Sequence, residues 1–236
     1  MQGAAQHNIE PGIAVDAVAD RPDRESRMTV TEDADLVTNE TEMRTVYRKP
    51  IPRAFQKELD HLDGHSRRFI EMSPFCVIGT TGNDGRADTS PRGDPPGFVA
   101  IPDDKTLLIP DRPGNNVVDT LTNVMEHPHV GLLFFVPGMN ETLRVTGTAE
   151  ITADPAALEP LSVGGRAPIS ALRVTVNRVF LHCGRALIRS RLWDPEAQID
   201  RKAYPTYGQV LADQIAGADA AAIDASEDEA NRHQLY

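Results

Sequence analysis

The sequence predicts a mainly β, α+β fold: six or seven antiparallel strands forming a small barrel, with flanking helices. Two observations carry this. Short strand-like runs come in consecutive pairs joined by turn residues, which is how antiparallel hairpins read. The helical runs are too few to alternate with the strands, which excludes a parallel dinucleotide-binding fold and leaves a small closed sheet.

The elements follow in chain order. Phe55, Leu59, Leu62, Phe69 and Ile70 fall on one helical stripe and predict a helix from about Arg53 to Met72, stopped by Ser73-Pro74. Phe75 to Thr81 and Arg86 to Arg92 flank the turn Asn83-Asp84-Gly85 and predict a hairpin, after which Gly93-Asp94-Pro95-Pro96 breaks the chain. Phe98 to Ile101 and Thr106 to Pro110 form a second pair. A helix-like run, Val117 to Glu126, ends at His127-Pro128. Val130 to Val136 and Glu141 to Thr152 make a third hairpin around Pro137-Gly138-Met139-Asn140. A short helical piece near Pro155 to Leu161 and a long strand from about Ala171 to Cys183 complete the pattern.

Composition bounds the rest. The chain has 236 residues, 40% of them hydrophobic, enough for a core. No run approaches the roughly 18 apolar residues of a membrane span, and the first residues lack a signal-peptide pattern, so the expectation is a cytoplasmic protein without a membrane partner. The net charge of −11 is uneven: residues 1–45 contribute −6 and residues 218–236 contribute −4. We therefore expect an acidic flexible extension over 1–45, one domain over 46–217 and an acidic tail over 218–236, either a frayed helix or disordered. Met28 is an alternative start. Nucleic acid is not an expected partner. The two cysteines, Cys76 and Cys183, sit in strand-like segments far apart and read as buried thiols. The histidines show no metal-ligand spacing, so no metal is expected.

The segment Arg112-Pro113-Gly114-Asn115-Asn116 joins an apolar strand to the helix-like run. A strand entering a helix through a glycine turn leaves backbone N–H groups unpaired, and a guanidinium beside them completes a phosphate pocket. The alternative is an ordinary turn with Asn115 as N-cap.

The order TSPRGD, LLIPDRPGNN, EHP, HVGLLFFVPG, LRVTGTAEI and HCGRALIRSRLW resembles the pyridoxamine 5′-phosphate oxidase-like flavoproteins, in particular the FMN-dependent group with an RPGNN loop. The resemblance covers residues 50–217. It implies a split β-barrel, a homodimer, and one FMN in each of two clefts at the subunit interface. It places Asp88, Ser90, Pro91 and Arg92 beside the flavin ring and Arg112, Asn115 and Asn116 at the ribityl phosphate, with Ile109 and Pro110 among the cofactor-binding residues. The oxidase branch has two adjacent basic residues where this chain has Asn115-Asn116, so the missing charge must come from elsewhere. Arg92 and Arg112 are the candidates, since strand alternation puts Asp88, Ser90 and Arg92 on one face.

Arg144 lies among residues that prefer burial and needs a partner, either a flavin edge or a carboxylate such as Glu150 or Asp88. His182 falls near the position of a flavin-proximal aromatic residue in the oxidases, or is structural. Arg185, Arg189 and Arg191 with Trp193 form a basic cluster, either crossing the dimer cleft or solvated. The oxidases' Arg-Leu-His-Asp-Arg signature is absent, and Arg189-Ser190-Arg191-Leu192-Trp193 is a partial echo, so vitamin B6 oxidation is not the expected reaction.

The function implied is an FMN-dependent oxidoreductase acting on a small molecule, with NAD(P)H or O2 as candidate redox partner and no nameable catalytic residue. A non-catalytic flavin carrier or sensor is the alternative, and haem or a deazaflavin a weaker one.

Overall fold

The computed structural model describes residues 36–233 and 235–236. Residues 1–35 of the extension expected over 1–45, Met28 included, lie outside them. The described residues fall into two compact units, one ending at Pro50 and the other running from Ile51 to Tyr236. In the first unit Glu40–Val46 forms a helix, α1, started by Asn39, whose side chain accepts from the Glu42 N–H.

In the second unit a six-stranded antiparallel sheet curls into a half-barrel. The strands are β1 (Phe75–Thr81), β2 (Ala87–Gly93), β3 (Thr106–Asp111), β4 (His129–Phe135), β5 (Thr142–Thr152) and β6 (Ser170–His182). Their spatial order is β2-β1-β4-β5-β6-β3. β2 and β3 are thus the two edges, and each carries a proline, Pro91 and Pro110. Proline has no N–H to give to a ladder and is tolerated where a strand has a free edge.

Alternation decides which side chains enter the core. Ile78, Leu132, Phe134, Leu143, Val145, Val174 and Val179 are buried on the concave side. On β5 the ladder to β6 shifts register between Thr146 and Gly147. A β-carbon at Gly147 would collide with the Thr175 carbonyl, so the bulge requires glycine there.

The predicted helix over 53–72 is interrupted. Arg53–Gln56 forms α2 and Gly64–Met72 forms α3, with Asp63 as N-cap accepting from the Ser66 N–H. Between them Leu59 exchanges two backbone hydrogen bonds with Val179, a tertiary pairing that overrides local helix propensity. Phe98 to Ile101 does not form a strand; a single bridge, Ala100 to Leu108, remains of that pair. α4 (Asp119–Glu126) is held to the sheet by Asn123, whose Nδ2 donates to Thr80 Oγ1 at 3.0 Å.

After β6 come α5's successors. Pro155–Leu158 forms α5 before the strand, and Arg185–Ser190 (α6), Tyr207–Gln214 (α7) and Ala220–His233 (α8) follow it. The acidic segment expected to be frayed or disordered contains α8, which packs on α7. The Gly208 N–H donates to Asp224 Oδ1 at 2.7 Å, and a side chain at Gly208 would meet the Ala220 carbonyl. Cys76 is buried as expected, and burial pushes its thiol up to about 12. Cys183 is exposed, contrary to expectation, because the chain has already left β6.

Candidate functional site

The edge strands approach each other where the sheet fails to close, and the seam is a cleft of about 410 Å³. One wall is β2 from Asp88 to Gly93 with the following Asp94. The other is the end of β3 with the loop and first turn of α4, Pro110 to Leu121. Asp88, Ser90 and Arg92 alternate toward the inside of β2 as the half-buried positions of that strand.

Two arginines reach the cleft from opposite edges, and each is held by an aspartate. Arg112 Nε donates to Asp94 Oδ2 at 2.7 Å, and its Nη2 donates to the Leu161 carbonyl at 2.8 Å. The side chains of this pair are 15% and 3% exposed. Arg92 Nη2 lies 3.8 Å from Asp111 Oδ1, and Nη1 donates to Ser90 Oγ and to the Pro91 carbonyl. The Tyr236 hydroxyl donates to Asp94 Oδ1 at 2.8 Å, and this bond pushes the phenol above its ordinary range.

The loop between Arg112 and α4 departs from the ordinary cap-and-turn. Asn115 Oδ1 accepts from the Val117 N–H, making a local turn, and does not cap the helix. The N-cap position is Val118, which has no side-chain cap bond. Asn116 and Val118 have φ of 60° and 56°. Asparagine tolerates the left-handed region; a β-branched valine is strained there, by about 1–3 kcal/mol. The loop therefore lines the cleft with a helix start that has no side-chain cap and with two exposed amide side chains.

Of the residues picked from sequence, the structure brings together Asp88, Ser90, Pro91, Arg92, Pro110, Arg112, Asn115 and Asn116 around this cleft. Ile109 is 1% exposed and packs in the core behind it. Arg144, His182, Arg189, Arg191 and Trp193 are outside the cleft lining of their own chain. Arg144 points outward from β5, and its guanidinium lies 6.0 Å from the centre of the Phe180 ring, with Lys57 and Arg178 over the same ring. The carboxylate suggested for it, Glu150, pairs with Arg173 instead. His182 is exposed, 6.2 Å from the Phe180 ring. Arg185 and Arg189 are exposed on α6, Arg191 engages Asp194 and Glu196, and Trp193 Nε1 donates to the Met139 carbonyl.

Sequence reasoning missed Asp94, Asp111 and Tyr236. Asp94 stands in the segment read as a breaker, and Asp111 just beyond the strand expected over Thr106 to Pro110. Tyr236 is 142 residues from Asp94, and no local pattern links them.

The sequence model described as Pyridoxamine 5′-phosphate oxidase matches residues 62–183, more than half the chain. The chain belongs to the pyridoxamine 5′-phosphate oxidase family. The matched span contains both edge strands, the loop and α4, hence the whole cleft lining of this family member, while Tyr236 lies outside it. No curated protein matches the chain.

Solved structures of similar shape include HupZ of Group A Streptococcus, at 19% identity and a TM-score of 0.43, covering 50% of this chain and 92% of that one. A putative pyridoxamine 5′-phosphate oxidase of Lactobacillus delbrueckii has 18% identity and a TM-score of 0.41, covering 52% and 98%. An F420 reductase has 16% identity and a TM-score of 0.37, covering 48% and 94%. Among the described residues no helix is long and apolar enough to cross a membrane, and no three His, Cys, Asp or Glu side chains group as a metal site.

Proposed function

We propose that the cleft receives the phosphate-bearing end of FMN and that the protein is a cytoplasmic, homodimeric FMN-dependent oxidoreductase acting on a small molecule. Family members commonly bind flavin-type cofactors. The observation that carries the reading to FMN is the convergence of Arg92 and Arg112, from opposite sheet edges, on one cleft beside the Asn115-Asn116 loop. Guanidiniums, side-chain amides and free helix N–H groups are the donor types that hold a phosphate.

The bound flavin would supply the hydride chemistry. The protein's part is to bind and orient. Arg92 and Arg112 would hold the phosphate together with the amides of Asn115 and Asn116, and Asp88 and Ser90 would offer polar groups toward the ring. Four carboxylates, Asp88, Asp94, Asp111 and Asp119, share the lining with the two arginines. One chain's lining therefore does not neutralise a dianion, and the remaining charge must arrive from elsewhere.

A second copy is the source we favour. The convex side of the sheet exposes an apolar strip: Phe75 and Phe135 pair across β1 and β4 with rings 6.0 Å apart, next to the paired Val77 and Leu133. Such a strip suits a self-complementary dimer contact. Arg144, the register partner of Leu133, borders it. In a dimer built on that strip, Arg144 and the Arg189–Arg191 segment of one copy are candidates to face the cleft of the other.

The test is flavin binding. Wild-type protein should bind FMN, seen as a visible flavin spectrum after desalting, and Arg112→Ala should raise the Kd at least about tenfold, the worth of one charge-assisted hydrogen bond. Protein that stays colourless with excess FMN, or an Arg112→Ala variant with unchanged affinity, sinks the assignment. Anaerobic NADH or NADPH should bleach the bound flavin; colour that persists with every reductant tried favours a carrier.

A further inference from the structure

Tyr236 lies outside both the cleft lining and the family match, yet it completes the surroundings of Arg112. Asp94 has two carboxylate oxygens and little exposure: Oδ2 accepts from Arg112 Nε, and Oδ1 accepts from the Tyr236 hydroxyl. The Tyr236 ring lies over the guanidinium, 5.4 Å from its central carbon. The Tyr236 main-chain oxygen accepts from Arg166 Nη1 at 2.6 Å, which ties the segment down from the other side. α8, three residues earlier, is anchored through Asp224 to α7.

These contacts restrict the arginine. The Nε–H is spent on Asp94, one Nη2–H on Leu161, and one face of the plane is covered by the ring. Among the described residues Nη1 has no acceptor, so its two N–H groups, with the second one on Nη2, are the donors available to a ligand. We propose that Tyr236 is a positioning residue for phosphate recognition: by clasping the Arg112–Asp94 pair it fixes the direction in which Arg112 donates, without touching the ligand. This rests on the reading of Arg112 as a phosphate donor.

Because the clasp acts through the phosphate arginine, it should matter for FMN and not for riboflavin, which lacks the phosphate. Flavin fluorescence titrations of the full chain with both probes test this in Tyr236→Phe, Tyr236→Ala and Arg112→Ala. Tyr236→Phe keeps the ring and loses the bond to Asp94; it should weaken FMN about three- to tenfold, the range of a single hydrogen bond, with riboflavin affinity unchanged. Tyr236→Ala, losing the ring as well, should weaken FMN further and again spare riboflavin. Equal losses for the two probes would mean a merely structural role, and unchanged FMN affinity in both Tyr236 variants would mean none; either result overturns the clasp. If Arg112→Ala leaves the ratio of FMN to riboflavin affinity intact, the phosphate assignment itself is what fails.

Discussion

Arg112 and Arg191 invite comparison, because each forms a short ion pair and each was picked from sequence as a site residue. Arg191 is the closer to its partner, 2.6 Å from Asp194 against 2.7 Å for Arg112 and Asp94. The settings differ far more than the distances. Arg191 is 55% exposed and pairs three residues along its own chain, where it closes the turn after α6. Arg112 is 15% exposed and pairs with a residue on the opposite wall of the cleft, whose side chain is 3% exposed. Solvent screens the first pair and little of the fold depends on it. The second joins the two sheet edges in a setting where an unpaired charge is costly. Burial and chain separation, not contact distance, mark the pair that organises a site.

Removing the carboxylates separates these cases most sharply. Asp94→Ala strands the Arg112 guanidinium beside the Tyr236 hydroxyl and should cost about 3–5 kcal/mol of stability. A thermal unfolding scan would register this as a drop of many degrees. Asp194→Ala should leave the midpoint close to wild type. Equal shifts for the two variants would break the comparison.

The arginines themselves give the next effect. Arg92 sits 3.8 Å from Asp111, a looser pair than Arg112 with Asp94, though its side chain is nearly as enclosed at 19% exposure. Arg92→Ala should therefore destabilise less than Arg112→Ala, while weakening FMN several-fold by loss of a charge-assisted bond. Melting curves and FMN titrations of the two variants check this. An Arg92 variant that lost more stability than the Arg112 variant would reverse the ranking.

The hairpins were legible because their information is local. The alternation in Phe75–Thr81 and the turn Asn83-Asp84-Gly85 specify β1 and β2 without help from the rest of the chain. β2 and the Arg112–Asn116 loop, which contribute to both walls of the cleft, stood out through strand alternation, the glycine turn and the family resemblance. The rest depends on distant partners. Leu59 is helix-like in sequence, but Val179 claims its backbone. Asp94 looked like part of a breaker because Arg112 and Tyr236, which make it a hub, lie 18 and 142 residues away. Arg144 shows a different limit. It stands among residues that prefer burial, yet Leu143 and Val145 face the core while Arg144, between them, faces out. Strand alternation already contained that answer.

The two thiols extend the lesson about exposure to a smaller, cheaper observation. Cys76 has no accessible surface and its thiol is pushed up to about 12, so at neutral pH it holds almost no thiolate and a disulfide reagent cannot reach it. Cys183 is exposed at the end of β6, next to His182 and α6. Native protein should therefore release one fast equivalent of thiol to the reagent, and the second only with global unfolding. Two fast equivalents would mean that the sheet opens at β1. The rate of the fast equivalent carries a further signal, because Cys183 lies just before α6, whose end leads into the Arg189–Arg191 segment we place against a second copy. If that placement holds, labelling should slow as protein concentration is raised through the dimerisation range. A rate independent of concentration, in protein shown to dimerise over that range, would count against the Arg189–Arg191 segment in the interface and leave Arg92 and Arg112 as the cleft's arginines.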